Sequence, residues 1–570
     1  MEMKAILPIF RLAVRLGVVA WVITTAPLAT AQSETRPFQK LRIPEAVTGT
    51  NFNLSVHKST KSFWKGATTA TFAYNNETFW GPTLILKKGD TVQMNVRNEL
   101  DEPTTTHWHG LHLPAATDGG PLQVIPAGKT WSPSFKVTNN AGTYWYHPHA
   151  HETTQKHLTM GAGGFIIVKD PIEAALPLPR EYGVDDIPLV LTSRRFHLDD
   201  QFSYDGDNDK YGDFAFVNGT LDAEAGLPAQ FVRLRILNAE IERGYDLGFS
   251  DGRTFHVIAT DGGLVEKPIP VTRMKLMVGE RVEVLVDLGG DKVGSSVDLM
   301  AYNAGQPFGY PGGEPGTRPP NGGYLNNINF RLLHINVTPR TAKAITTLPA
   351  TLVKNRLWTE SDATQQRTIR ISGGRPLFNF DDKPYARNVI NQTVKLGAVE
   401  QWTIRNNNIF GHTFHIHDVQ ISIISRTSGV QDYERGWKDT LYVPRGESVS
   451  FIAKFDDYAS DTDAFMYHCH MSNHEDGGLM GQFIVVNRAV EDLAIASFTR
   501  TGPNSEIRFQ FKPTLGTTYT LQYSSDLTTG SWTDIGSVTS DGTSANFTET
   551  DATRLGQAKG FYRVTIPTVP

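Results

Sequence analysis

Beyond its N-terminal segment the chain reads as short runs in which apolar and polar positions alternate, among them residues 83–96, 231–237, 281–288 and 448–455. Alternation with a period of two predicts strands that bury one face, and the turn-forming clusters between the runs predict β-sandwiches. Long helical periods are few. One phrase recurs loosely, a glycine turn and a polar residue followed by an alternating strand: KKGDTVQMNVRN (87–98), VGERVEVLVDL (278–288), LGAVEQWTIRN (396–406) and PRGESVSFIAKF (444–455). It marks either equivalent hairpins in repeated domains or shared β-turn chemistry. The Gly/Pro-rich stretch 305–323 predicts a long surface loop, either bordering a substrate cleft or passive. From about Ala489 onward His, Met and Cys are absent, Ser and Thr are abundant, and short strands continue. This predicts a separate accessory β-sandwich, a binder of surfaces or polymers or a passive spacer.

Lys4, Arg11 and Arg15 precede the apolar run 16–23, and Ala29-Thr30-Ala31 offers a small-residue cleavage site. The pattern predicts a signal peptide over residues 1–31 and a mature start at Gln32. The alternative, a membrane anchor, is opposed by the shortness of the run and by Pro27 at its end. No later stretch is apolar for the roughly 20 residues that a spanning helix needs. The mature chain is therefore expected to be exported, periplasmic or extracellular, without a membrane span. At 570 residues the chain exceeds a single domain, and its formal charge of −5 supplies no basic field for nucleic acid. Exported proteins have access to disulfides, yet Cys469 is the sole cysteine and cannot form an intramolecular bridge. Its surroundings give it another use.

Histidines concentrate in four clusters built on His-x-His spacing: HWHG (107–110), YHPHAH (146–151), HTFHIH (412–417) and HCHMSNH (468–474). Strand residues two apart project from one face, so each pair can present two imidazoles to one metal centre. In His468-Cys469-His470 the two imidazoles point to one side and the thiol to the other, so a single strand can join two metal sites covalently. A thiolate with two imidazoles and a weak or absent axial ligand is the donor set of a blue-copper site, which Cys469, His412 and His474 fit. Eight imidazoles remain: His107, His109, His147, His149, His415, His417, His468 and His470. That is more than one metal needs, and one Cys among eight His is unlike a tetrahedral structural zinc site. Several copper ions are implied.

These four motifs, in this order, resemble those of the multicopper oxidase family, which includes laccases, ascorbate oxidase, bacterial cuprous oxidases and bilirubin oxidase. The resemblance spans about residues 38–490. It implies an all-β fold of three cupredoxin-like Greek-key β-sandwich domains at 38–172, 173–345 and 346–490. Residues 491–570 would follow as a small immunoglobulin- or fibronectin-like module. It also implies four copper ions. His412, Cys469 and His474 would bind the type 1 copper and His107 and His415 the type 2 copper. His109, His147, His149, His417, His468 and His470 would bind the type 3 pair, between the first and third domains. The middle domain, whose His197, His256 and His334 lack paired spacing, would bind none, and those three are read as structural. Bacterial relatives commonly carry Met five residues after the last type 1 His, where this chain has Leu479; a one-residue bulge would bring in Met480 instead. Asp118, in ATDGG, and Glu475, next to His474, match acidic residues used near the copper cluster. Buried acids have a purpose there, since reducing dioxygen to water consumes protons. The bland alternatives are a turn residue for Asp118 and a ligand-orienting hydrogen bond for Glu475. His112, His151 and His157 match no ligand position and are read as supporting or surface residues.

The expected activity is laccase-like: one-electron oxidation of phenols or aromatic amines coupled to reduction of dioxygen to water. Cuprous relatives carry a methionine-rich insertion, and this chain has 10 Met without a Met-rich segment. Metal-ion oxidation is therefore the runner-up, with Asp456, Asp457, Asp461 and Asp463 as a candidate cation cluster or a solvated loop. A non-enzymatic exported copper-binding or envelope protein is the alternative from another class.

Overall fold

The computed structural model describes residues 36–204, 211–313, 323–374, 377–487, 497–500, 507–511, 518–526, 532–539, 545–557 and 560–565. The expected signal peptide lies outside the described residues. Within Phe38–Pro570 strands dominate, and among the described residues no helix is long and apolar enough to cross a membrane.

The recurrent glycine phrase takes one form in all four places. Gly89, Gly279, Gly397 and Gly446 have φ of 96, 84, 81 and 69°, a backbone region that penalises any side chain. Each turn feeds a strand: Thr91–Asn98, Arg281–Asp287, Ala398–Asn406 and Ser448–Phe455. The last two pair with each other antiparallel, Ala398 opposite Phe455 and Arg405 opposite Ser448.

Strands join into sheets whose inner faces share apolar cores. Near the start, the sheet holding Thr83–Lys87 and Gly164–Lys169 and the sheet holding Asn51–Lys61 and Thr91–Asn98 bury Leu84, Ile166, Leu54 and Val96 together. In the middle, a seven-stranded and a six-stranded sheet close over Leu189, Leu234, Val284, Leu299 and Ile335. Further on, two five-stranded sheets enclose Ile369, Trp402, Phe414, Tyr467 and Cys469. The first core also takes in Phe202, Phe216, Leu237 and Ile241, and Gln39–Lys40 pairs in parallel with Ala223–Pro228 as an edge of the six-stranded sheet. Aromatic packing thus spans the expected 172/173 boundary, with Phe63 and Phe79 directly on Phe202, while the middle sheets keep a core of their own.

Two expectations about exposure change. The Gly/Pro-rich stretch is buried over residues 309–313, since Gly309 accepts the Gly411 N–H at 2.8 Å and Tyr310 packs against Tyr442. The alternating strand Phe231–Asn238 is buried along its whole length rather than on one face, because Arg233 and Arg235 are paired with Glu173, Glu283 and Asp186. Toward the C-terminus, two three-stranded antiparallel sheets are present, with Tyr519, Leu521, Phe547 and Leu555 buried together.

Candidate metal centre

The pleat of two neighbouring strands sorts the candidate ligands. His412–Ile416 pairs with Phe465–Cys469, so that Phe414 lies opposite Cys469 and His415 opposite His468. Residues two apart share a face, which puts His412 and Cys469 on one side and His415 and His468 on the other. His417 and His470 continue the second set just past the strand ends.

On the first side, Cys469 Sγ lies 3.6 Å from Nδ1 of His412 and 3.6 Å from Nδ1 of His474, the latter brought back by the short helix Ser472–Asp476. All three are buried, and Phe378 packs on both imidazoles with ring centroids 4.9 and 4.4 Å away. Burial pushes the thiol up to about 12, so a bound cation is what would hold it as thiolate. Leu479 belongs to the same apolar cluster as Cys469 and is fully buried. Met480 pairs with His468 across the sheet and so shares the opposite face. The pairing runs without a bulge, and the Leu479 carbonyl accepts the Cys469 amide at 3.0 Å.

On the second side eight imidazoles converge, His107, His109, His147 and His149 from early in the chain and His415, His417, His468 and His470 from late. The groups His149/His417/His468, His107/His109/His147 and His107/His415/His417 each bring one ligand atom per residue into mutual reach. His417 Nε2 is 3.2 Å from His468 Nε2, and Nδ1 of His109 is 3.1 Å from His470 Nε2 and 3.4 Å from His147 Nε2. The outer nitrogens are anchored, which fixes ring orientation. Nδ1–H of His107 donates to the Asp118 carbonyl at 2.9 Å, that of His147 to Pro148 at 2.8 Å, that of His415 to Asp439 at 2.9 Å and that of His468 to Cys469 at 3.1 Å. Nε2 of His107, His149 and His415 is buried with no hydrogen-bond partner among the described residues. Burial, reinforced by neighbouring imidazoles, holds His109, His147, His149, His417, His468 and His470 well below their usual range. Neutral imidazoles with unpartnered inward nitrogens are the form that ligates a metal, so the donor set fits copper.

Asp118 closes one edge of the cluster. Its Oδ2 accepts from His417 Nδ1 at 2.6 Å and its Oδ1 lies 3.3 Å from His107 Nδ1. Burial opposes its charge, but those two rings hold the carboxyl well below the usual range. The chain reaches it through the turn Ala115–Thr117, and Gly119 follows at φ 82°, where a Cβ would stand 1.8 Å from the Thr106 carbonyl oxygen. Glu475 sits at another edge, Oε1 at 2.8 Å from His149 Nδ1 and accepting from Thr154 Oγ1 at 2.7 Å. Burial raises its pKa.

Three neighbours escaped the sequence reading. Asp439 touches His109 Nε2 with Oδ1 at 3.2 Å, accepts from His415 through its carbonyl, and accepts from Arg281 Nη1 at 2.7 Å. Glu242 lies 3.9 Å from His474 Nε2 and accepts from Asn473 at 2.9 Å and Tyr211 at 2.6 Å, with burial pushing its pKa up to about 7. Asp418 faces His112 at 3.8 Å. None stands in a motif. Asp457, placed in the acidic loop, meets His112 Nε2 at 2.5 Å, while Asp456 pairs with Lys454 and Asp463 accepts from Ser460. Asp456, Asp457 and Asp463 thus each have a partner, that of Asp457 lying 345 residues away in sequence. His157 is fully buried, bonded to Thr104 and Glu102, and His151 packs on Tyr385. In the middle segment His334 stacks on Phe38 and bonds Asp298, His256 lies in the strand Phe255–Thr260, and the His197 amide donates to Gln201.

Two family models match the chain, over residues 55–173 and 354–489, and both describe a multicopper oxidase. Multicopper oxidase mco of Staphylococcus aureus is 30% identical, covering 76% of this chain and 88% of its own length. Cell division protein FtsP of Sodalis glossinidius is 31% identical, covering 75% of this chain and 88% of its own. Among solved structures, the laccase-like multicopper oxidase CueO from Ochrobactrum sp., with oxidase activity towards lignin model compounds and lignosulfonate, is 32% identical. It superposes with a TM-score of 0.70, covering 78% of this chain and all of that one.

Proposed function

We infer that this chain, which belongs to the multicopper oxidase family, is an exported laccase-like enzyme that oxidises phenols or aromatic amines one electron at a time and reduces dioxygen to water. Membership makes it a cupredoxin-like, copper-dependent oxidoreductase with dioxygen as acceptor. The observation that carries the finer reading is the completeness of the donor set: a buried Cys-His-His site whose cysteine is flanked by two members of an eight-imidazole cluster. The similarity to an oxidase acting on lignin model compounds supports aromatic donors.

Copper held at these residues supplies one-electron redox chemistry, with the type 1 ion at His412, Cys469 and His474 and the type 2 and type 3 ions at the cluster. The chain's own contribution is positional. Peptide bonds on either side of Cys469 tie the thiol to His468 and His470, a short covalent link between the two sites. Asp118 Oδ2 orients His417, and its carbonyl orients His107. Glu475, whose pKa burial raises, lies 2.8 Å from His149 Nδ1, where a carboxyl group can pass on protons that reduction of dioxygen consumes. Apolar Phe378 and Leu479 keep water from the thiol.

The similarity to FtsP favours a second reading, an exported copper-binding or envelope protein without turnover. Oxygen uptake by the copper-loaded protein separates the two, comparing a substituted phenol with cuprous ion and using Cys469→Ser as blank. Uptake driven by the phenol, without peroxide and absent in C469S, is expected. Uptake with cuprous ion alone would reassign the enzyme to metal oxidation, and none despite full loading would support the binding role.

A further inference from the structure

A cavity of about 520 Å³ opens between the middle sheets and the strand Thr440–Val443. Its walls are aromatic and cationic, and Phe308, Tyr310, Tyr442, Lys275 and Arg445 define its character. The Arg445 guanidinium lies over the Phe308 ring at 4.9 Å and the Lys275 ammonium over Tyr310 at 5.1 Å. Lys275 lies opposite Asp246 across the sheet and interacts with its charge, whereas Arg445 has no carboxylate within ion-pair distance among the described residues. Of the other charges lining the cavity, Arg426 pairs with Glu434 at 2.6 Å and Lys438 with Glu280 at 3.1 Å. Glu447 accepts from Ser428 at 2.8 Å. Tyr310 is buried, and its hydroxyl has no hydrogen-bond partner among the described residues. Phe308 is half exposed, which puts an aromatic face and a stacked guanidinium where a ligand enters. A guanidinium stacked on a ring and without a paired carboxylate is suited to planar aromatic anions, since the ring packs and the charge is neutralised at one site.

The cavity also adjoins the thiol site through two contacts. Tyr442 packs so tightly on Gly411 that a Cβ there would stand 2.2 Å from the tyrosine oxygen, and the Gly411 amide donates to the Gly309 carbonyl at 2.8 Å. The next residue is His412, opposite Val443 in the same sheet.

We propose that this cavity binds phenolic donors that carry a carboxylate, with the ring against Phe308, Tyr310 and Tyr442 and the carboxylate on Arg445 and Lys275. The proposal rests on the laccase-like reading for what happens to the bound donor. Each phenol loses one electron and its phenolic proton to become a neutral phenoxyl radical, and four such losses with four protons convert one dioxygen to two waters. The carboxylate is unchanged and serves only as a handle.

The test uses the copper-loaded protein with 4-hydroxy-3-methoxycinnamate, its methyl ester, and 3,4-dimethoxycinnamate, which has the carboxylate but no phenol to oxidise. The acid is expected to have a KM about tenfold below that of the ester, one carboxylate contact's worth, with kcat within about twofold. Arg445→Gln and Lys275→Gln should each erase most of that preference, and Arg445→Lys should restore part of it. Calorimetric binding of 3,4-dimethoxycinnamate should weaken about tenfold in the same two Gln variants. Equal KM values for acid and ester, or a preference and a binding constant that neither Gln variant moves, overturn the site while leaving the oxidase reading standing. Absence of turnover together with Arg445-dependent binding of the dimethoxy probe overturns the oxidase reading and keeps the site; absence of both removes the site as well.

Discussion

Leu479 follows His474 by five residues and lies with Cys469 in one apolar cluster, where it offers no donor atom. A thioether there would stabilise the oxidised form of a copper–thiolate centre. Leu479→Met should therefore lower the potential of the blue site, read by redox titration of its absorption; an unchanged potential would mean that residue 479 does not face the metal. Met480→Leu, on the opposite face, should leave that potential in place. His112 supports a second prediction. Burial opposes its charge, but Asp418 and Asp457 outweigh this and push its pKa up to about 9. An unfolded imidazole titrates near 6.5, so the folded form binds the proton more tightly. The stabilisation is full below 6.5 and is lost as pH rises through about 9. The parent should exceed His112→Gln by about 2 kcal/mol near pH 6 and by little near pH 10 in urea unfolding. A gap that does not vary with pH would exclude the ion pair as its source. The candidate ligands themselves were legible because pairing, spacing and the lone cysteine are local properties. Asp439 was not, because it meets His109 across 330 residues and nothing adjacent to it in sequence announces a role.

At the level of elements, alternation predicted the strands and said which ligands share a face, since the pleat alone separates Cys469 from His468 and His470. The glycine phrase was also readable, because positive φ before a strand is a local demand. Burial was not. Along Phe231–Asn238 the arginines occupy positions that a sequence reading gives to solvent, and the seven-stranded sheet encloses them. Glu283 makes that tolerable, accepting from Arg235 at 2.6 Å and Thr143 at 2.7 Å while also pairing with Arg233. Removing one partner from a buried ionic group strands the other charges at a cost of about 3–5 kcal/mol. Glu283→Gln should lower stability by that order in denaturant melts, and a loss under about 1 kcal/mol would indicate that water reaches the arginines.

Across the whole molecule, the middle sheets hold none of the grouped ligands described above yet reach the cluster through Arg281. Its guanidinium bonds Asp439, the residue that orients both His109 and His415, and its backbone N–H donates to Asp261 at 2.8 Å. Outer partners of metal ligands typically carry a factor of about 10–100 in metal affinity. Arg281→Gln should accordingly release copper to a competing chelator at about tenfold lower chelator concentration, with the folded far-ultraviolet spectrum kept. Retention equal to the parent would confine Arg281 to a structural role. The three-part organisation expected from motif order rests on the family resemblance, whereas the packing of middle-segment residues into the first core depends on aromatic contacts such as Phe63 with Phe202, which no periodicity encodes.

The Asp476 carboxylate accepts from the amides of Thr154 and Gln155 at 3.1 and 2.8 Å, closing a late part of the chain onto an early one. That closure imposes a timetable. During synthesis the early strands emerge first, so His107, His109, His147 and His149 are complete long before the residues that face them exist. A partly made chain would hold only the four early imidazoles of the cluster. The eight-imidazole set is therefore complete only at the last step, when residues 412–476 arrive.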